Sequence, residues 1–172
     1  MNVVVCIDLE LLGMAPEKAS EAFRKMRRQK FGRWSNYKPK TTGVPKNGTP
    51  VDTWVIEAPN GRYHVHWMLN VQPHNRAEFE VKLEKWVRGM AQMSHLELLP
   101  AEALHVTDAY NPEGKKLYMA KGIDPFYARL FKIDPVPGGV VFGRRAGTAR
   151  ALGPAVWKPL KRAYLAEKAR LR

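Results

Sequence analysis

The stretch Glu57-Ala-Pro-Asn-Gly-Arg-Tyr-His64-Val-His66-Trp-Met-Leu-Asn70 decides the fold. It reads as most of a β-hairpin. Asp52 to Ala58 carries Trp54, Val55 and Ile56, and Tyr63 to Asn70 carries Val65, Trp67 and Leu69. Between them sits Asn60-Gly61, a strong short-range hairpin signal. Whether the loop is those two residues or all of Pro59 to Arg62, Ala58 opposes Tyr63. Glu57 then lies across from His64, with His66 as its diagonal neighbour. Strand side chains alternate faces, so the three project from one side. Directly opposed Cβ atoms lie about 4.5–5.5 Å apart and diagonal ones about 7–8 Å. A carboxylate and two imidazoles within that reach can close on one divalent metal. The competing reading is a polar pair on the solvated face of an ordinary hairpin.

At 172 residues the chain suits one compact domain, 1–172, with a basic C-terminal segment over 142–172. Its hydrophobic fraction of 45% is ordinary for a globular protein. Its charge is not: 29 Lys and Arg against 16 Asp and Glu give +13. A field of that sign calls for a polyanionic partner, nucleic acid before an anionic membrane surface. The single cysteine, Cys6, excludes an intramolecular disulfide framework and suits a reducing, cytoplasmic setting. No apolar run reaches the length of a membrane span, and the N-terminal apolar run carries Asp8 and Glu10, unlike a signal peptide.

Residues 2–12 read as a strand with Val3, Val5, Ile7, Leu9 and Leu11 on one face and Cys6, Asp8 and Glu10 on the other. Asp8 is an alternative to Glu57 as the carboxylate ligand. Pro16 to Phe31 reads as a helix with an apolar stripe of Ala19, Phe23 and Met26 and a basic face that includes Arg27 and Arg28. From Ala22 to Lys40 there are eight Lys and Arg and no acid. Trp34 and Tyr37 follow the start of that run, so it reads equally as a solvated face or as a phosphate-contacting surface with stacking aromatics. Thr41 to Pro50 is a loop. Arg76 to Met93 reads as a core helix, with Asn75 as N-cap and Glu78 three residues on. His74 and His95 flank it as ordinary surface or capping residues. Leu104 to Tyr110 is a further strand.

A second informative stretch is Asn111-Pro-Glu-Gly-Lys-Lys-Leu-Tyr118-Met-Ala-Lys121-Gly122. Asn as N-cap, Pro in the first turn and Gly past the end describe a short helix. Spacing of three places Lys115, Tyr118 and Lys121 on one face. A free phenol, with a pKa of about 10, is a poor nucleophile at neutral pH. Neighbouring cations favour the phenolate, and a metal on a target phosphate lowers the demand further. The plain alternative is a half-buried aromatic with its hydroxyl at the surface.

A Glu, then His-x-His on a strand, then about fifty residues later a helical Tyr-x-x-Lys resembles the HUH endonucleases, nearest to one-tyrosine rolling-circle replication initiators. The basic segment Val141 to Pro154 is similar to the one that follows the tyrosine helix in some bacterial and phage members. The resemblance implies an α+β fold in which helices pack on an antiparallel sheet of about five strands, ferredoxin- or RRM-like. It implies that Glu57, His64 and His66 bind the metal, that Tyr118 is the nucleophile and that Lys121 assists at the phosphate. The implied activity is metal-dependent nicking and joining of single-stranded DNA through a 5′-phosphotyrosine. Mg²⁺ or Mn²⁺ is the expected ion, although two His and one Glu also suit Zn²⁺.

The chain departs from the family pattern in lacking a Thr-rich opening motif, and Gly122 stands where two-tyrosine members carry a second Tyr. No helicase domain follows, so a host helicase would supply unwinding at an origin hairpin. Relaxase and transposase roles use the same chemistry. From Phe142 to Arg172 there are nine Lys and Arg and one acid, Glu167. Arg27, Arg28, Lys115, Arg144, Arg145 and Arg150 are therefore the expected DNA contacts. Two rivals stand outside the enzyme class: a DNA-binding regulator on the same fold with a degenerate site, and a basic RNA-binding protein with incidental histidines. Leu160, Tyr164 and Leu171 suggest an amphipathic terminal helix.

Overall fold

The computed structural model describes residues 1–94, 97–111, 114, 119–120, 122, 128–129 and 132–170, the side chains of 157, 160, 164, 165 and 167–170 excepted. Period-two alternation of apolar residues builds its centre. Strands β1 (Val3–Asp8), β2 (Asp52–Glu57), β3 (His64–Leu69), β4 (Leu104–Asp108) and β5 (Ala146–Thr148) form one sheet in the order β4-β1-β3-β2-β5. Every neighbouring pair is antiparallel. On one face, Val3, Val5, Ile7, Trp54, Ile56, Val65, Trp67 and Leu69 are all buried.

Helices cover that face, which makes the protein α+β as expected. Helix α1 (Pro16–Met26) runs through a wide turn at Arg27–Phe31 into α2 (Gly32–Asn36), and α3 (Arg76–Met90) packs beside α1. Phe23 meets Trp54 and Trp67 edge-on at centroid distances of 5.4 and 5.5 Å. Phe31 does the same to Trp67 at 5.1 Å, and such contacts add to the burial of large aromatic area. One charged group enters this layer. Asp52 is fully buried, accepts from Trp67 Nε1 at 2.8 Å and is paired with the Arg27 guanidinium.

Several elements end differently from their sequence reading. β1 stops at Asp8 because its Oδ1 accepts the amides of Glu10 and Leu11 at 3.1 and 3.0 Å, which turns the chain and leaves Leu11 exposed. α3 ends at Met90, not Met93. Asn75 precedes α3 without capping it: its side chain donates to Lys46 O at 2.7 Å, and Glu78 reaches Lys46 and Trp34 Nε1 in place of the expected capping box. Those contacts fasten the 37–50 loop to the helix. Asn111 does act as a cap, since its Oδ1 accepts the Gly114 amide at 2.9 Å. Helix α4 (Pro154–Arg170) closes the described chain. Among the described residues no helix is long and apolar enough to cross a membrane.

Two expectations follow. Asp52→Ala leaves a buried indole N–H and a guanidinium without their acceptor, and urea unfolding should show a loss of about 3–5 kcal/mol. The Lys46 ammonium beside Glu78, helped by the Trp34 indole N–H, holds the Glu78 carboxyl below its usual range. Its contribution is therefore present above the ordinary carboxylate range and lost as pH falls through its lowered pKa. The Tm gap between the wild type and Glu78→Gln should be measurable at neutral pH and close in acid.

Candidate metal centre

The face of the sheet opposite the helices carries the site. Here β3 presents His64, His66 and Met68, β2 presents Val55 and Glu57, and β1 presents Val4, Cys6 and Asp8. Glu57 pairs with His64 across β2–β3, which is the register expected from the hairpin. The loop is the four-residue form: Asn60 and Gly61 take left-handed φ of 54° and 82°, which an Asn-Gly pair tolerates well. On the other side His64 pairs with Asp8, and His66 with Cys6.

Glu57 is 2% exposed and His66 8%, so the group does not lie on a solvated hairpin face. His66 Nε2 is 3.4 Å from Glu57 Oε2, and the two imidazole centroids are 5.7 Å apart. One donor atom from each of Glu57, His64 and His66 lies within 4.8 Å of the others. Two donors on one ion at about 2.1 Å each are at most about 4.2 Å apart. Closure on an ion therefore needs a contraction of several tenths of an ångström, which side-chain rotation supplies. The residues fit a divalent cation, and Glu57 is the carboxylate of the set. Asp8 has other partners: its Oδ1 holds the turn after β1, and its Oδ2 accepts Arg62 Nη2 at 2.9 Å.

A cleft of about 370 Å³ opens beside the histidines, lined by Cys6, Asp8, Arg62, His64, His66 and His105 among others. The opposite flank of Glu57 is closed. Met119 packs on Val4, Val55 and Met68, and a Cβ on Gly122 would lie 3.8 Å from Glu57 Oε1. A strap formed by 138–145 completes that flank. Ala58 N donates to Gly138 O at 2.8 Å, Ile56 N to Arg145 O at 2.7 Å, and the Tyr63 hydroxyl to Val140 O at 2.8 Å. Gly139 is required here, because its φ is +70° and a Cβ would fall 1.8 Å from Ala58 O.

No family model matches the chain, and no curated protein or solved structure does either. Geometry therefore carries the reading of the site.

Tyr118, Lys121 and Lys115 lie outside the described residues. Of the expected DNA contacts, Arg28, Arg144 and Arg150 are exposed. Arg27 is engaged by Asp52, and the Arg145 guanidinium donates to Gly138 O at 2.8 Å and to Gly139 O, tying the strap to itself. His74 is exposed beside Asn75, and His95 lies outside the described residues. Two residues at the site carried no sequence signal. Cys6 Sγ meets His66 Nδ1 at 3.2 Å, and His105 pairs with Cys6 from β4. Alternation along β1 puts Cys6 on the right face, but its partner strand is a long-range fact.

With Nδ1–H of His66 donated to the Cys6 sulfur, Nε2 is left to face Glu57, the arrangement by which an outer partner orients a metal-binding imidazole. Titration of Mn²⁺ should give a single site that His64→Ala/His66→Ala abolishes. Cys6→Ala should weaken it about 10–100-fold without removing it. Affinity should also fall with pH, as protons compete for the imidazoles. Equal affinities in the wild type and the double variant would remove the hairpin from the metal argument.

Proposed function

We propose that the protein is a metal-dependent single-stranded DNA nickase and strand transferase of the HUH type, initiating rolling-circle replication of a plasmid or phage. The observation that supports this most directly is the buried Glu57–His64–His66 group beside an open cleft, on a sheet face that Met119 and Gly122 also touch. Those two residues bracket Lys121 in the chain, and Met119 directly follows Tyr118. A metal site and the tyrosine segment on one side of one sheet is what phosphoryl transfer needs, because the nucleophile must approach in line with a held phosphate.

A divalent ion at this site, Mg²⁺ or Mn²⁺, would supply Lewis-acid polarisation of a non-bridging phosphate oxygen. The protein's own residues do the rest. The hairpin fixes the two imidazoles and the carboxylate on one face, and Cys6 sets the orientation of His66. The Tyr118 oxygen attacks phosphorus, the bond to the 3′-oxygen breaks, and that oxygen leaves as a 3′-hydroxyl after protonation. The DNA remains linked through a 5′-phosphotyrosine, so attack by another 3′-hydroxyl rejoins strands without ATP. Lys115 and Lys121 favour the phenolate and offset charge on the phosphate.

The test is covalent capture. Incubation with Mn²⁺ and single-stranded oligonucleotides from the origin region of its own replicon should give an adduct that survives a denaturing gel and maps to Tyr118. Tyr118→Phe removes only the phenolic oxygen and should abolish the adduct while DNA affinity stays within about twofold. Cleavage that persists in Tyr118→Phe assigns the nucleophile elsewhere. Tight binding of an origin hairpin with no cleavage under any divalent metal makes the protein a DNA-binding regulator on this fold.

A further inference from the structure

The helix-side face next to β5 carries a feature that the strand-cleavage reading does not use. Two clefts of about 580 and 600 Å³ lie end to end there and share Arg27, Arg28 and Thr148 in their walls. The first runs between α1 and the 142–148 segment, the second between the wide turn, α2 and the turn after β5. Together they make one trough. Its cations are Arg24, Lys25, Arg28 and Arg144 in the first part, and Arg28, Arg33 and Arg150 in the second.

These cations differ from the others on the sheet-bearing body. Arg27, Lys46, Arg62, Arg76 and Arg88 each pair with a carboxylate. Among the described residues none of the six in the trough does, although Glu17 and Glu21 stand at one end of its wall. The acid deepest in the trough, Asp52, is already neutralised by Arg27. Six unmatched positive charges around one concavity repel one another, and the arrangement is relieved by a polyanion laid along it.

We propose that this trough is a second nucleic-acid site, which holds the backbone of duplex DNA while the metal centre on the other face takes single strand. Three observations select that occupant. A concave wall fits a rod and cannot lie flat on a lipid surface. Single-strand grooves need exposed ring faces for base stacking, but Trp54 and Phe31 in these walls are 2% and 1% exposed, leaving Phe142 at the rim as the one open ring. Arg24 and Arg28 are also four residues apart around the end of α1, an axial step of about 6 Å in a helix, close to the separation of neighbouring phosphates along one strand. The proposal shares the DNA partner of the nickase reading and none of its chemistry.

Binding of a 20-base-pair duplex, followed by anisotropy over a salt series, tests the proposal. Arg28→Glu/Arg150→Glu should lose at least tenfold in affinity at 100 mM salt, and its log–log salt slope should be shallower by about 1.8, two contacts at about 0.9 each. Lys18→Glu/Lys85→Glu changes net charge equally away from the trough and should cost less than about threefold. His64→Ala/His66→Ala should leave duplex affinity intact, so that failure of the metal centre is read separately. Should the Glu variant unfold, Arg28→Gln/Arg150→Gln carries the same comparison with half the charge change. Equal losses in the trough and control variants would overturn the proposal in favour of a diffuse basic field. A single strand of the same length that binds tighter than duplex, and loses as much in the trough variant, would overturn the choice of duplex.

Discussion

The pairing of Glu57 with His64 is the constraint on which the molecule turns. Side chains along a strand alternate strictly, so a slip of one residue between β2 and β3 would exchange the two faces of the sheet. Trp54, Ile56, Val65 and Trp67 would then leave the helix layer, and Glu57, His64 and His66 would enter it. The burial that stabilises the fold and the geometry that assembles the site are therefore one choice of register. Asn60 and Gly61, with their left-handed backbone, enforce it from the turn, and the aromatic layer enforces it from behind.

The site face departs from ordinary packing. Around Glu57 and His66 it is apolar, with Val4, Val55, Met68 and Met119 forming a small cluster of their own. A carboxylate set among such groups is costly unless a cation or hydrogen-bond donors answer it. The neighbouring imidazole, and an ion drawn to both, answer it in the way that metal sites commonly do. The same apolar surroundings strengthen any electrostatic interaction made there. Access remains on the side of the β1–β4 cleft, with Arg62 and His105 at its walls.

The hairpin, the α1 and α3 core stripes and the grouping of Glu57 with the two histidines were all legible in the sequence, because each depends on contacts between residues close in the chain. What escaped the sequence was set by long-range partners. Arg27 reads as one cation in a basic run until Asp52, twenty-five residues away, is found beneath it. Arg145 reads as a phosphate contact, but its donors go to carbonyls of a strap that only the fold brings near. Asn75 has every local mark of a cap, yet the carbonyl of Lys46 lies closer to hand. Cys6 reads as an inert small residue until β3 sets His66 against it.

The wide turn at Arg27–Phe31 has a consequence for how this gene can change. Core residues along the α1–α2 rod fall at Phe23, Met26, Phe31 and Trp34, and the step from Met26 to Phe31 is one residue longer than a regular helix allows. An unbroken α-helix would turn Lys30 inward at that level and Phe31 outward. The i to i+5 hydrogen bond from Gly32 N to Arg27 O absorbs the surplus residue and returns the stripe to phase. Loss of a single codon within this turn would mend the helix geometry and rotate everything after it by about 100°. Trp34 and Ser35 would swing off the core together. Reading length is thus fixed to the residue along this rod, whereas the neighbouring 37–50 loop is under no such count.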